Sequence, residues 1–105
     1  MNQGTQDVSA SITAAGTTQA TATLLFNGLN MIGIAASGSG VILFAYNPGA
    51  SQIVYNGGAN AVTVYPPSGA KINGLALNGG HLLSTNTACI YWTISTTQVI
   101  GLLSA

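Results

Sequence analysis

In a chain of 105 residues, only four side chains offer a carboxylate, an amine, an imidazole or a thiol: Asp7, Lys71, His81 and Cys89. A two-carboxylate glycosidase needs a pair of acids, and one subunit supplies one. A Ser-His-Asp arrangement would have to recruit Asp7 from an N-terminal arm and orient it on His81, against the requirement that the base be positioned by its neighbours. The sharpest catalytic reading is a Cys89–His81 nucleophile pair, because the two residues fall on consecutive expected strands. Against it, Cys89 shares a strand face with Tyr91 and Thr93 and reads as a small apolar filler. His81 follows Asn78-Gly79-Gly80, at a strand entrance. One Cys and one His do not close a tetrahedral zinc site, and Gly38-Ser39-Gly40 lacks the Gly, Lys and Ser/Thr of a phosphate-binding loop. Lys71 reads as a solvated edge or turn residue that discourages strand pairing. The expectation is therefore a protein that is not an enzyme, with no catalytic residue, no cofactor and no metal.

The elements that would have to position these groups are built from an unusual composition. Charged residues make up 2% of the chain, against about 25% in ordinary domains. Without a basic patch, nucleic-acid binding loses its main source of affinity, and polybasic membrane docking fails for the same reason. The longest unbroken apolar run, Val41 to Tyr46, is far short of the roughly 20 residues of a membrane span. With 48% hydrophobic residues, disorder is excluded too. A single cysteine excludes an internal disulfide framework and fits assembly in a reducing cytosol. Met1 to Asp7 has neither the basic nor the apolar region of a signal peptide. A net charge of zero favours association, so much of the surface is expected to be covered by copies of the chain or by a partner.

Turn signals recur at short intervals: Asn27-Gly28, Ser37 to Gly40, Asn47-Pro48-Gly49, Asn56-Gly57-Gly58, Pro66 to Gly69, Asn73-Gly74 and Asn78-Gly79-Gly80. They leave room for strands and almost none for helices. Period-two alternation predicts strands over 8–14, 19–26 and 88–95, the last with Ala88, Ile90, Trp92 and Ile94 on one face and Cys89, Tyr91, Thr93 and Ser95 on the other. Trp92 is assigned to the core and Tyr91 to an interface. Val41 to Tyr46 and Val99 to Leu103 are apolar on both faces, which predicts a central strand and a strand facing a partner. Tyr46, Tyr55 and Tyr65 each precede a turn, and the spacing is read as a β-meander and not a solenoid. The expected fold is all-β: a flexible arm over residues 1–7, free to exchange with a neighbour, then one small domain over 8–105. That domain holds about nine short, mostly antiparallel strands in a sandwich or barrel.

The stretch Gly58-Ala59-Asn60-Ala61-Val62-Thr63-Val64-Tyr65-Pro66-Pro67-Ser68-Gly69-Ala70-Lys71-Ile72-Asn73-Gly74-Leu75 resembles a motif of small β-rich structural virion proteins of tailed bacteriophages. Ile12 to Ala20 and the aromatic strand around Tyr91-Trp92 look like its flanking parts. The resemblance implies a capsid decoration, or cement, protein on the outer capsid surface. Such a protein would form a symmetric oligomer, expected to be a homotrimer, and reinforce contacts between subunits of the major capsid protein. The alternative is a tail-fibre or spike module binding a host glycan through Tyr91, Tyr55 or nearby aromatics. The residues expected at a subunit or capsid interface are Val8, Ile12, Tyr46, Tyr55, Tyr65, Tyr91, Val99, Leu102 and Leu103.

Overall fold

A computed structural model describes residues 8–25 and 27–103. Its ten strands are β1 (Val8–Ala14), β2 (Thr23–Leu24), β3 (Leu29–Ala35), β4 (Gly40–Ile42), β5 (Ser51–Asn56), β6 (Val62–Tyr65), β7 (Lys71–Ile72), β8 (His81–Leu83), β9 (Thr87–Ser95) and β10 (Gln98–Leu103). They form a six-stranded sheet in the order β1-β3-β5-β9-β10-β7 and a four-stranded sheet in the order β2-β4-β6-β8. The all-β expectation holds. The expected turns all fall between strands or at their ends, where Gly and Asn supply the required backbone angles.

The pairing direction differs from the expectation. Five of the eight strand pairings are parallel: β1 with β3, β3 with β5, β2 with β4, β4 with β6, and β7 with β10. The first six strands run alternately through the large and the small sheet, so each circuit stacks beside the previous one and parallel neighbours follow. A parallel connection needs a dozen or more residues, and here each connection includes a strand of the opposite sheet. The meander reading of the tyrosines is corrected accordingly. Tyr55 lies in the large sheet, Tyr65 ends a strand of the small one, and Tyr46 lies beyond β4 in the return between sheets. The strand expected over 19–26 shrinks to Thr23–Leu24. Thr18 O accepts the Thr21 and Ala22 amides, and Thr21 Oγ1 accepts the Thr18 amide, so threonine hydroxyls compete with strand pairing there.

Within β1, Ser11 adopts φ 63°, and the register slips between Ser9 and Ile12 and again between Ile12 and Thr13. These offsets form a bulge that keeps Ile12 against the core and Ala14 buried.

The core lies between the sheets and includes Leu25, Ile32, Val41, Leu43, Val54, Val62, Val64, Ile72, Leu83, Cys89, Tyr91 and Val99. Three buried amides serve backbone groups where the chain passes between sheets. Gln52 bonds both the Phe44 amide and the Phe44 carbonyl, at 3.1 and 3.0 Å. Asn56 donates to Asn60 O and Leu83 O and accepts the Gly58 amide. Asn30 donates to Asn27 O and Ile53 O. Corners interrupt ladder hydrogen bonding, and these amides supply the missing partners.

Candidate interaction surface

On β5 the alternation places Gln52, Val54 and Asn56 inside and leaves Ser51, Ile53 and Tyr55 outside. On β9, Cys89, Tyr91 and Thr93 are inside, Ala88, Ile90 and Trp92 are half-buried on the opposite face, and Ile94 is exposed. The assignment of Trp92 to the core and Tyr91 to an interface is thus inverted. Tyr91 is fully buried and Val99 is 1% exposed, so both are core residues and neither faces a partner. The alternation is real, but apolar residues occupy both faces and polar amides occupy part of the inner one, so periodicity alone selects the wrong side.

Register assembles the outward residues into continuous rows. Leu29 lies beside Ile53, Ile53 beside Ile90, and Ile90 beside Leu102. Met31 lies beside Tyr55, and Tyr55 beside Ala88. Trp92 lies between Ser51 and Ile100. The exposed members of these rows are Met31 (39%), Ile100 (44%) and Leu102 (61%), and Ile94 (49%) lies two residues beyond Trp92 on β9. Four strands spaced about 4.8 Å apart, each contributing some five residues at about 3.4 Å, give this face a footprint of roughly 300 Å². That is the low end of the range for the largest apolar patch on a typical monomer, a patch that is often functional. Lys71, the one base in the chain, lies on β7 at the edge of this sheet, as its edge reading expected.

The other expected interface residues are dispersed. Leu102 and Tyr55 share the apolar face. Ile12 packs against the core. The Tyr65 ring lies over Gly40 and Gly80, where added Cβ atoms would sit 2.8 and 3.2 Å from it, and its hydroxyl donates to Thr17 O, so it covers its own sheet. Tyr46 packs on Phe44, ring centroids 4.8 Å apart. The arm over residues 1–7 and the side chains of Val8 and Leu103 lie outside the described residues.

The Cys89–His81 pair is bridged by a third group. His81 on β8 and Tyr91 on β9 meet across the interior, with Nδ1 2.9 Å from the phenolic oxygen and the rings edge to face. Cys89 is buried on the same inward face as Tyr91. Burial raises the Cys89 thiol, and hydrogen bonds from Tyr91 and the Leu102 backbone offset this only in part. Burial pushes the Tyr91 phenol far above its usual range, and the adjacent Cys89 adds to the shift. Burial lowers His81. All three groups are therefore neutral near pH 7, and the thiolate required of a nucleophile is disfavoured. Among the described residues no cluster of three His, Cys, Asp or Glu side chains could hold a metal.

The lowered His81 carries a pH prediction. Its folded pKa lies below the unfolded value of about 6.5, so the unfolded chain binds the extra proton first as pH falls. The His81 contribution should be constant well above pH 6.5 and should decline as pH drops from there through the folded pKa. The α-amino group, near 8, and the Cys89 thiol, about 8.5 when unfolded and raised by burial in the fold, compete only toward the alkaline end. Thermal melts between pH 8 and pH 5 should show this decline, and His81→Gln should flatten it. An unchanged slope in the variant would assign the effect elsewhere.

No protein-family model, no curated protein and no solved structure matches the chain.

Proposed function

We propose that this protein is a structural, non-enzymatic assembly module. It associates with copies of itself through the outer face of its six-stranded sheet and, as a symmetric oligomer, decorates the outer surface of a phage capsid. The observation that carries the self-association is that face: apolar across four adjacent strands, described without a charged side chain, and formed by residues that alternation would normally send inward. The virion role rests on the sequence resemblance given above. In a homotrimer the three faces turn toward a common axis, and the assembled unit touches several capsid subunits at once. Each contact then adds avidity, and all must fail together before the shell opens at that point.

The driving force is apolar burial, because the chain carries too little charge for ion pairs to supply it. Light-scattering mass measurement of the purified protein should give a multiple of 10.5 kDa, three times that value for a trimer. The association constant should change less than about threefold between ~0.05 and ~1 M NaCl, since screening has almost nothing to act on. A monomer at all accessible concentrations, or an oligomer dispersed by salt, overturns the mechanism. Imaging of particles then separates a shell location, with hundreds of copies, from the tail-appendage alternative, with few.

A further inference from the structure

Four Asn-Gly pairs occur in the chain: Asn27-Gly28, Asn56-Gly57, Asn73-Gly74 and Asn78-Gly79. Such a pair carries its own chemistry, because a glycine, with no Cβ, leaves its backbone nitrogen room to reach the side-chain amide carbon of the preceding residue. The fold treats the four differently. Asn56 is fully buried with its side-chain nitrogen and oxygen both bonded, and the Gly57 amide donates to Ile32 O at 2.8 Å. The Gly79 amide donates to Ala76 O at 2.8 Å, and Asn78 Oδ1 accepts from both Gly69 N and Gln19 Nε2. Gly28 is buried, and its carbonyl is tied to Ile53 N at 2.8 Å. Asn73 and Gly74, by contrast, are both exposed. No described residue accepts a hydrogen bond from the Gly74 amide, and apart from its chain neighbours a Cβ added at Gly74 would meet no atom within 4 Å.

We propose that Asn73-Gly74 is a self-modification site, at which the folded chain converts Asn73 to aspartate and isoaspartate with water as the only co-reactant. The Gly74 nitrogen gives its proton to solvent and attacks Asn73 Cγ. The new N–C bond closes a five-membered succinimide, the bond from Cγ to the side-chain nitrogen breaks, and ammonia leaves. Water then adds to one of the two succinimide carbonyls. Opening at Cγ gives aspartate, and opening at the main-chain carbonyl leaves the chain running through Cγ, one methylene longer. Nothing is oxidised or reduced. The Gly101 amide donates to Asn73 Oδ1 at 3.0 Å, so a backbone N–H already faces the oxygen on which negative charge develops during the attack. The bond from Nδ2 to Gly101 O is longer, at 3.4 Å, and holds the leaving nitrogen less firmly.

Asn73 prolongs the two-residue β7 along β10: its amide donates to Val99 O, and its carbonyl accepts from Gln98 Nε2. An extra methylene shifts these groups out of register. The new carboxylate, the chain's second after Asp7, faces the Gly101 carbonyl that Nδ2 had served. β10 also carries the exposed Ile100 and Leu102, so the loosened edge adjoins the apolar face.

The test is incubation of the intact protein in mildly alkaline buffer, followed by peptide mapping with mass spectrometry, with the chain unfolded in urea as the reference. In urea the four pairs should convert at similar rates, since only sequence then distinguishes them. In the folded protein Asn73 should convert at least about tenfold faster than Asn27, Asn56 or Asn78. Gly74→Ala, whose methyl group meets no atom of the fold, should slow the conversion of Asn73 by a similar factor. In the isoaspartyl product the Asn73 and Gly101 amides should exchange hydrogen faster than in the unmodified protein, again by at least about tenfold. Conversion first at another pair, or none at Asn73 while the chain in urea reacts, overturns the proposal. Equal rates with and without Gly74→Ala overturn it too, because the attack by the Gly74 nitrogen is then not the route.

Discussion

Leu102→Arg should abolish the proposed self-association while leaving the fold intact. Leu102 is the most exposed residue of the outward rows, and its strand neighbour Ile90 is half-buried beside it. In the isolated domain the new guanidinium would reach solvent, so the stability change should stay within about 0.5 kcal/mol. In the assembled state the same group would enter an apolar contact with no acid to pair it, because the chain's single carboxylate is Asp7. Burying an unpaired charge costs several kcal/mol. An association constant lowered at least a hundredfold corresponds to only about 2.8 kcal/mol, so the expected loss is at least that large. Ile100→Arg, one row away beside Trp92, should behave alike. Leu82→Arg is the control: Leu82 is as exposed, at 63%, but belongs to the small sheet. Sedimentation of the three variants decides the matter. If Leu82→Arg dissociates the protein and Leu102→Arg does not, the wrong sheet has been identified.

The strand content was legible because Gly, Asn and Pro punctuate this chain so regularly that strand positions follow from what lies between turns. Residues 8–14 and 88–95 match β1 and β9 almost residue for residue. Pairing direction was not legible, since a period of two is the same in parallel and antiparallel ladders. What decides it is that the connections from β1 to β3 and from β3 to β5 each carry a strand of the other sheet, which is a long-range fact. Orientation was misread on β9, where the more apolar set of Ala88, Ile90, Trp92 and Ile94 faces outward. The neighbouring β5 shows why: Ser51, Ile53 and Tyr55 share one face and Gln52, Val54 and Asn56 the other, and hydrophobicity alone would bury Ile53 and Tyr55. Gln52 and Asn56 go inside instead because the corners between sheets leave backbone groups that need their amides. The apolar partners are thereby turned outward. The low charge, read first as a sign of a covered surface, and the outward Ile53, Ile90, Ile100 and Leu102 are thus two views of the same property.

The strongest effect on stability should come from Tyr91. Tyr91 is fully buried and among the largest side chains in the core. Its ring passes over Gly101 on the neighbouring strand, where an added Cβ would lie 3.1 Å from the ring. Tyr91→Ala removes an entire buried aromatic, for which the expected cost is about 3–5 kcal/mol. It also leaves His81 Nδ1 without its partner at 2.9 Å. In a domain whose total stability is of order 5–15 kcal/mol, that is a shift of roughly 12–30 °C in Tm at about 4–6 °C per kcal/mol, or outright unfolding. Tyr91→Phe separates the two contributions. It keeps the packing and removes only the hydroxyl, so the loss should be about 1–2 kcal/mol, with His81 free to turn toward water. If Tyr91 instead faced a partner, as its sequence position suggested, Tyr91→Ala would weaken assembly and leave the melting of the isolated domain nearly unchanged. Measuring both quantities on a Leu102→Arg background, where association no longer contributes to Tm, distinguishes the alternatives: a fall of many degrees places Tyr91 in the core, and a fall of under about 2 °C, less than 1 kcal/mol, returns it to the surface.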